Sequence, residues 1–310
     1  MNNENVKLDQ IVKSLFEVSS KAMIGIINEC FGKDYAPDAV IIERQPSRFI
    51  KEHLDYESIE ADIVLKVNSV KYHIEFQTKN DKTMEIRMFE YAFYLAKGEA
   101  KVEDDGIMTL YIPNQAVIFI EENTGVRDQK VRIVFPDGKE VLYAIPTIRF
   151  WEYSISMLRE KKIYNLLPLT IFSHRKVLQK VADNKEKLLE EKQRLREAIN
   201  HLSREIKLLI DEHQLEGEDV HKIALAMTNL TEYLNSKYIK DKDFDKEVIR
   251  VTKTLYDPIV EEKGIEKGIE KGIEKVAVKM IIKGKSNQEI MEVTDLSMEQ
   301  VEKLRSKAIG

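Results

Sequence analysis

Between Glu60 and Gln77 the chain reads EADIVLKVNSVKYHIEFQ, and this stretch sets two carboxylates against each other. Apolar and polar residues alternate on both sides of Asn68-Ser69, the pattern of a β-hairpin with a two-residue turn. With Asn68 and Ser69 as the loop, Val67 pairs with Val70, and counting outward sets Asp62 opposite Glu75. Cross-strand partners share a face, with Cβ atoms roughly 4.5–5.5 Å apart. Gln77, two residues beyond Glu75, points the same way. Facing carboxylates repel unless a cation lies between them, so the arrangement suggests a metal site. Magnesium takes oxygen ligands, typically one or two carboxylates, with waters and substrate oxygens filling the other positions. Asp62 and Glu75 would supply the carboxylates, the backbone carbonyl of Phe76 a third oxygen, and Gln77 a hydrogen bond to a water or phosphate oxygen. A cation held this way polarises a phosphate and lowers the pKa of an attacking water, the chemistry of phosphodiester hydrolysis. A plainer reading stands beside it. Amphipathic hairpins with charged residues outward are common surface, and Glu60 and Lys66 lie on the same face.

The elements that must hold these residues follow from periodicity. The other hairpin face (Ile59, Ala61, Ile63, Leu65, Val70, Tyr72, Ile74, Phe76) is apolar and should pack on a helix, leaving the polar face for chemistry. Apolar side chains at helical spacing predict one helix from Leu8 to Phe31, with Asp9 placed to cap it and Gly32 and Pro37 ending it. Ala39–Arg44 reads as a strand. A second helix begins near Thr83 with the stripe Met84, Met88, Tyr91 and Leu95, and stops near Gly98. Strands are expected at Ala116–Glu121, Val131–Phe135 and Val141–Ile148, the last two joined by the Pro136–Gly138 turn. Residues 1–172 therefore form a mixed α/β domain. Residues 173–261 read as a helical subdomain, with Leu188, Leu189, Leu195, Ile199, Leu202, Ile206 and Leu209 recurring at three- and four-residue steps. The EKGI repeat at 262–275 reads as a marginal helical spacer, because each glycine costs about 1 kcal/mol of helix propensity. Residues 276–310 form a helix-turn-helix-like unit, with Ser286 and Ser297 as caps and a helix ending near Gly284.

Asp62, followed by Glu75-Phe76-Gln77 at the end of the next strand, resembles the D…ExQ variant of the PD-(D/E)XK nuclease signature. More narrowly, the chain is similar to the Rpn family of recombination-promoting nucleases and transposases. LDQIVKSLF, YHIEFQTKNDKTMEIRMFEYAFYLA and GIEKGIEKGIEKVAVKMIIKGKSNQEIMEVTDLSMEQVEKL carry the likeness, which covers residues 8–150 and 262–305. The resemblance implies an α/β fold: a PD-(D/E)XK nuclease-like mixed sheet flanked by helices, with an αβββαβ core. It also implies Mg²⁺ or Mn²⁺ as cofactor, DNA as substrate, and a role in recombination or mobile-element biology. Asp62 and Glu75 match the metal-binding acids, while Gln77 stands where lysine is usual. Lysine brings positive charge to the transition state and glutamine brings only hydrogen bonds. Lys79 shares the face if the strand continues, and would replace that charge. Many such nucleases carry a first-helix acid, for which Glu17 and Glu29 are candidates, and Asp9 matches the family's opening acid as well as a helix cap.

Other residues divide between function and surface. Arg87 and Tyr91 lie one helical turn apart after the motif and either face the site, with Arg87 on phosphate, or form an ordinary polar pair. Arg44, Arg48, Lys51, Lys79 and Lys82 either line a DNA groove or serve solubility. Histidines 53, 73, 174, 201, 213 and 221 show no zinc-type pairing, and His73, on the Glu75 face, either supports the site from behind its ligands or, as is more usual for such a residue, is simply exposed. No glycine-rich phosphate loop or nucleophile elbow is present. The net charge of −5 argues against a globally basic nucleic-acid coat, and the single cysteine, Cys30, fits a reducing compartment. No run approaches the ~18 apolar residues of a membrane span, and no signal layout opens the chain, so a cytoplasmic protein is expected. Two further roles remain open: a nuclease fold that no longer cleaves and acts as a DNA-binding or protein-interaction module, and homo-oligomerisation through the helical region.

Overall fold

The computed structural model describes residues 3–36, 42–44, 48–50, 58–60, 62–78, 83–123, 125–215, 217–253, 255 and 272–309. Helices α1 (Asn3–Ser14) and α2 (Ser20–Phe31) come first, where one continuous helix was expected. The break between them turns on tight bonds from the Leu15, Phe16 and Glu17 N–H groups to carbonyls three residues back. It brings Leu15 and Phe16 fully into the core. Ser19 then caps α2 by accepting the Ala22 N–H at 3.3 Å, while Asp219 holds both its N–H (2.7 Å) and its hydroxyl (2.5 Å). Asp9 lies within α1, six residues past its first residue rather than at its start.

Strands β1 (Ile42–Arg44), β2 (Arg48–Ile50), β3 (Ser58–Glu60), β4 (Ile63–Val67) and β5 (Val70–Gln77) follow, then α3 (Met84–Lys97). Next come β6 (Lys101–Val102), β7 (Met108–Thr109), β8 (Asn114–Phe119), β9 (Gln129–Val134), β10 (Glu140–Ile145) and β11 (Thr147–Arg149). The main sheet has the order β1-β4-β5-β8-β11. It is antiparallel from β1 to β5 and parallel from β5 through β8 to β11. Asn68 and Ser69 both take positive φ (51° and 96°), a turn whose twist suits two paired strands. The expected register holds: Val67 pairs with Val70 and Ile63 with Ile74. The single strand expected at 141–148 is divided at Pro146, which has no N–H to give a ladder. Before it, β10 pairs with β9 in a separate hairpin; after it, β11 joins β8.

Both faces of the main sheet are covered. Tyr72, Ile74, Ala116 and Ile118 share one core with α1, α2 and the C-terminal helices of this unit. Val117 and Phe119, on the alternate face, pack with Met84, Met88 and Tyr91 of α3. The polar hairpin face is therefore not an open surface. Helices α4 (Ile155–Glu160), α5 (Leu169–Phe172), α6 (Arg175–Val181), α7 (Lys185–Asp211), α8 (Gly217–Leu234) and α9 (Lys242–Lys253) complete the layer. The α7 stripe Leu195, Ile199, Leu202, Ile206 and Leu209 is buried in the same core as the sheet, whereas Leu189 is exposed.

Two compact units divide the chain: 1–215 with 219–255, and 216–218 with 256–310. In the second, a helix α10 over 272–282 precedes α11 (Asn287–Thr294) and α12 (Met298–Ile309). Ala277, Ile281, Ile290 and Val301 make its small core. Gly284 takes φ 76° after α10, and Ser286 and Glu289 form a reciprocal capping box on α11. Most of the EKGI repeat lies outside the described residues. No helix among the described residues is long and apolar enough to cross a membrane.

Candidate functional site

Strand alternation sends His73, Glu75 and Gln77 to the α3 side of β5. Asp62 sits just before β4, where the hairpin register carries it opposite Glu75. The two acids are crossed by hydrogen bonds. The Asp62 N–H donates to Glu75 Oε1 at 2.8 Å, and the Phe76 N–H donates to Asp62 Oδ2 at 2.9 Å. Asp62 Oδ1 lies 3.3 Å from Lys13 Nζ of α1. These contacts answer part of the charge conflict without a metal ion. The side chains are 12% (Asp62) and 4% (Glu75) exposed, so the charges sit in a medium of low effective dielectric, where each donor counts for more.

His73 is not at the surface, the more usual of its two expected placements, but fully buried between β5 and α3. Its Nε2 is 2.8 Å from Glu75 Oε1, and its Nδ1 is 2.7 Å from Gln115 Nε2 at the start of β8. Gln115 Nε2 also donates to the Met88 carbonyl at 2.9 Å, and Gln115 Oε1 accepts the Tyr143 hydroxyl from β10. The Tyr91 ring meets the imidazole edge-on, 5.3 Å between centroids. Burial, with the nearby Glu75 carboxylate next in weight, pushes the Tyr91 phenol up to about 12; Arg87 opposes the shift and Asp62 adds to it. The same aromatic group thus feels both acids and Arg87. Arg87 is half-buried, with Nη2 3.3 Å from Met84 Sδ. Tyr91 therefore lies within reach of the acids, with Arg87 near its phenol.

Gln77 is half-buried at the end of β5, with its carbonyl accepting the Ile120 N–H at 2.9 Å. The Phe76 ring packs on Phe16 at 4.5 Å, in the opposite core. Its N–H faces Asp62, and the N–H and C=O of one strand residue point to the same side, so its carbonyl faces that side too. Neither first-helix candidate serves the acids. Glu17 is exposed in the α1–α2 break, and its backbone carbonyl takes the Lys222 ammonium. Glu29 accepts Tyr153 Oη at 2.5 Å and Lys161 Nζ at 2.7 Å. What α1 brings to Asp62 is a lysine. The side chains of Asp9, Arg44 and Arg48, and the whole of Lys51, Lys79 and Lys82, lie outside the described residues.

Sequence reasoning missed Lys13, Gln115 and Tyr143. For Gln115 a signal existed: a polar residue directly ahead of the apolar run AVIFI. The donor set of two carboxylates and a backbone carbonyl is all oxygen, which fits a hard cation that keeps waters and substrate oxygens in its remaining positions. Among the described residues no group of three or more His, Cys, Asp or Glu is arranged to hold a metal ion. Comparison of the chain with models of known families, with curated proteins and with solved structures finds no significant match in any of the three.

Proposed function

We propose that the chain is a divalent-metal-dependent DNA endonuclease of PD-(D/E)XK type, with Asp62, Glu75 and the Phe76 carbonyl holding Mg²⁺ or Mn²⁺. The observation that carries the reading is the crossed pair. Glu75 accepts the Asp62 N–H, and Asp62, just ahead of β4, accepts the N–H of Phe76, the residue after Glu75. An antiparallel hairpin followed by a helix and a parallel strand accords with the fold that the sequence resemblance implies. Bound there, the cation would polarise the scissile phosphate and lower the pKa of the attacking water. Gln77 orients that water or a phosphate oxygen through hydrogen bonds. Lys13 and Arg87 bring positive charge to a site that otherwise repels a phosphate. Tyr91, its phenol raised to about 12, keeps its proton at neutral pH and can donate it in a hydrogen bond. A cytoplasmic enzyme of recombination or mobile-element biology belongs to the same reading.

One observation favours a second reading, a DNA-binding or protein-interaction module that no longer cleaves. Lys13 already supplies a counter-charge to Asp62, and the Gln77 side chain carries none. Supercoiled plasmid incubated with Mg²⁺ or Mn²⁺ separates the two, with Asp62→Asn and Glu75→Gln run alongside. Nicking by wild type that both substitutions abolish is expected. Nicking that survives both sinks the site, and none by wild type with either metal leaves the binding module.

A further inference from the structure

We infer that Gln115 and His73 form a positioning relay that presents a single N–H to Glu75 and thereby fixes the carboxylate. The Met88 carbonyl orients the Gln115 amide. That oxygen can only accept, so the Gln115 amide atom 2.9 Å from it is the NH₂ group. The same nitrogen stands 2.7 Å from His73 Nδ1, which must then accept its other proton. A neutral imidazole whose Nδ1 accepts carries its hydrogen on Nε2, and Nε2 points at Glu75 Oε1 at 2.8 Å. The Tyr143 hydroxyl, donating to Gln115 Oε1, agrees with this amide orientation. His73, Glu75 and Gln115 are 0%, 3% and 4% exposed, so the partners are those of the protein.

The consequence falls on Glu75. Oε1 receives two donors, the His73 Nε2–H and the Asp62 N–H, from different directions. Two donors on one oxygen fix the rotation of the carboxyl plane and leave Oε2 as the atom for a cation. Groups behind a metal ligand typically change affinity by about 10–100-fold when removed. This functional half rests on the reading of Glu75 as a metal ligand; the hydrogen-bond half does not.

Two measurements on the full chain test the relay. In ¹⁵N-histidine-labelled protein at neutral pH, with His73 assigned by its loss in His73→Gln, the ring should show a protonated Nε2 and an unprotonated Nδ1. Tyr143→Phe should leave that pattern unchanged, because Met88 still orients the amide. A protonated Nδ1 or an averaged pattern in wild type overturns the relay. Mn²⁺ titration followed by electron paramagnetic resonance supplies the second readout. His73→Leu should weaken binding by about 10–100-fold. His73→Gln, whose amide nitrogen can donate from near the Nε2 position, should recover much of it. Equal weakening in both variants assigns the effect to ring packing and overturns the positioning role, as does no weakening in either. Wild type that binds no Mn²⁺ removes the metal reading, while the ring spectrum still decides the relay.

Discussion

At the turn end of the β4–β5 hairpin, Lys66 lies directly opposite Lys71; at the open end of the same face, the register sets Asp62 opposite Glu75. Between them Val64 faces His73, and Leu95 of α3 packs on Val64. The lysine pair is resolved by Glu99, 3.0 Å from Lys71 Nζ and 3.9 Å from Lys66 Nζ. Glu99 is 43% exposed, and exposed charges of this kind are screened and contribute little. The acid pair sits beneath α3 and is resolved by two backbone N–H groups, a histidine and Lys13. Like charges in register therefore do not by themselves mark a site, because the lysines satisfy the same description. What separates the pairs is the partner set: Lys71 (11% exposed) and Asp62 (12%) are about equally buried, but an exposed glutamate answers the lysines, whereas fixed donors assembled by the fold answer the acids.

The sharpest way to break this comparison is to neutralise one member at each end. Glu75→Gln or Asp62→Asn should lower plasmid cleavage on the order of 100-fold or more, since each removes charge from a preorganised site. Lys71→Gln, made in parallel, should leave the cleavage rate within about threefold, because Lys71 lies at the far end of the hairpin and its carboxylate partner Glu99 is exposed. Comparable losses at both ends in a nicking time course would erase the distinction. Stability should divide the same way. His73→Leu leaves Gln115 and Glu75 short of a buried partner, at about 1–3 kcal/mol. Urea denaturation measures it.

The division also shows what could be read in advance. The Asn68-Ser69 turn and the strict alternation around it specify register, because a slip of one residue would expose Ile63, Leu65, Tyr72 and Ile74. Pairing of Asp62 with Glu75 was legible for that reason. Alternation gives a face but not a depth. That α3 would cover His73 and Glu75 depends on Met84, Met88 and Tyr91 finding Val117 and Phe119, a contact between distant segments. The break after α1 was hidden because Leu15, Phe16 and Val18 continue an apolar run, while Ser19 owes its fixed position to Asp219, far along the chain. Pro146, by contrast, stood in plain view within VLYAIPTI and marks where one expected strand becomes two. Nothing local pointed Lys13 at Asp62.

A smaller effect should separate the cations. Lys13→Met leaves the Asp62 carboxylate without its ammonium and should cost on the order of 1 kcal/mol, because Lys13 is still partly solvated. The same change should tighten Mn²⁺ binding severalfold, since a positive neighbour opposes a second cation on Asp62. Calorimetric titration reads the affinity, and weaker binding in the variant would show that Lys13 supports the ligand set. Tyr91 reports the acid end from above. Its phenol is raised from about 10 to about 12, so between those pH values the folded chain keeps a proton that the unfolded chain has lost. Its contribution to stability is complete below pH 10 and is lost as pH rises toward 12. Tyr91→Phe should flatten that part of the alkaline limb in denaturation midpoints taken across it.

Glu99→Gln should produce the least change of all. It removes the carboxylate that bridges Lys66 and Lys71, yet Lys71 keeps its 3.3 Å bond to the Leu95 carbonyl. Lys66 keeps water, and salt screens the remaining repulsion across the pair. The cost should stay within about 0.5 kcal/mol in urea denaturation, and raising ionic strength should shrink it further. A loss near that of His73→Leu would mean that the turn end is as tightly coupled as the acid end. The fixed donors around the acids would then no longer explain why one like-charged pair is only structural and the other a candidate site.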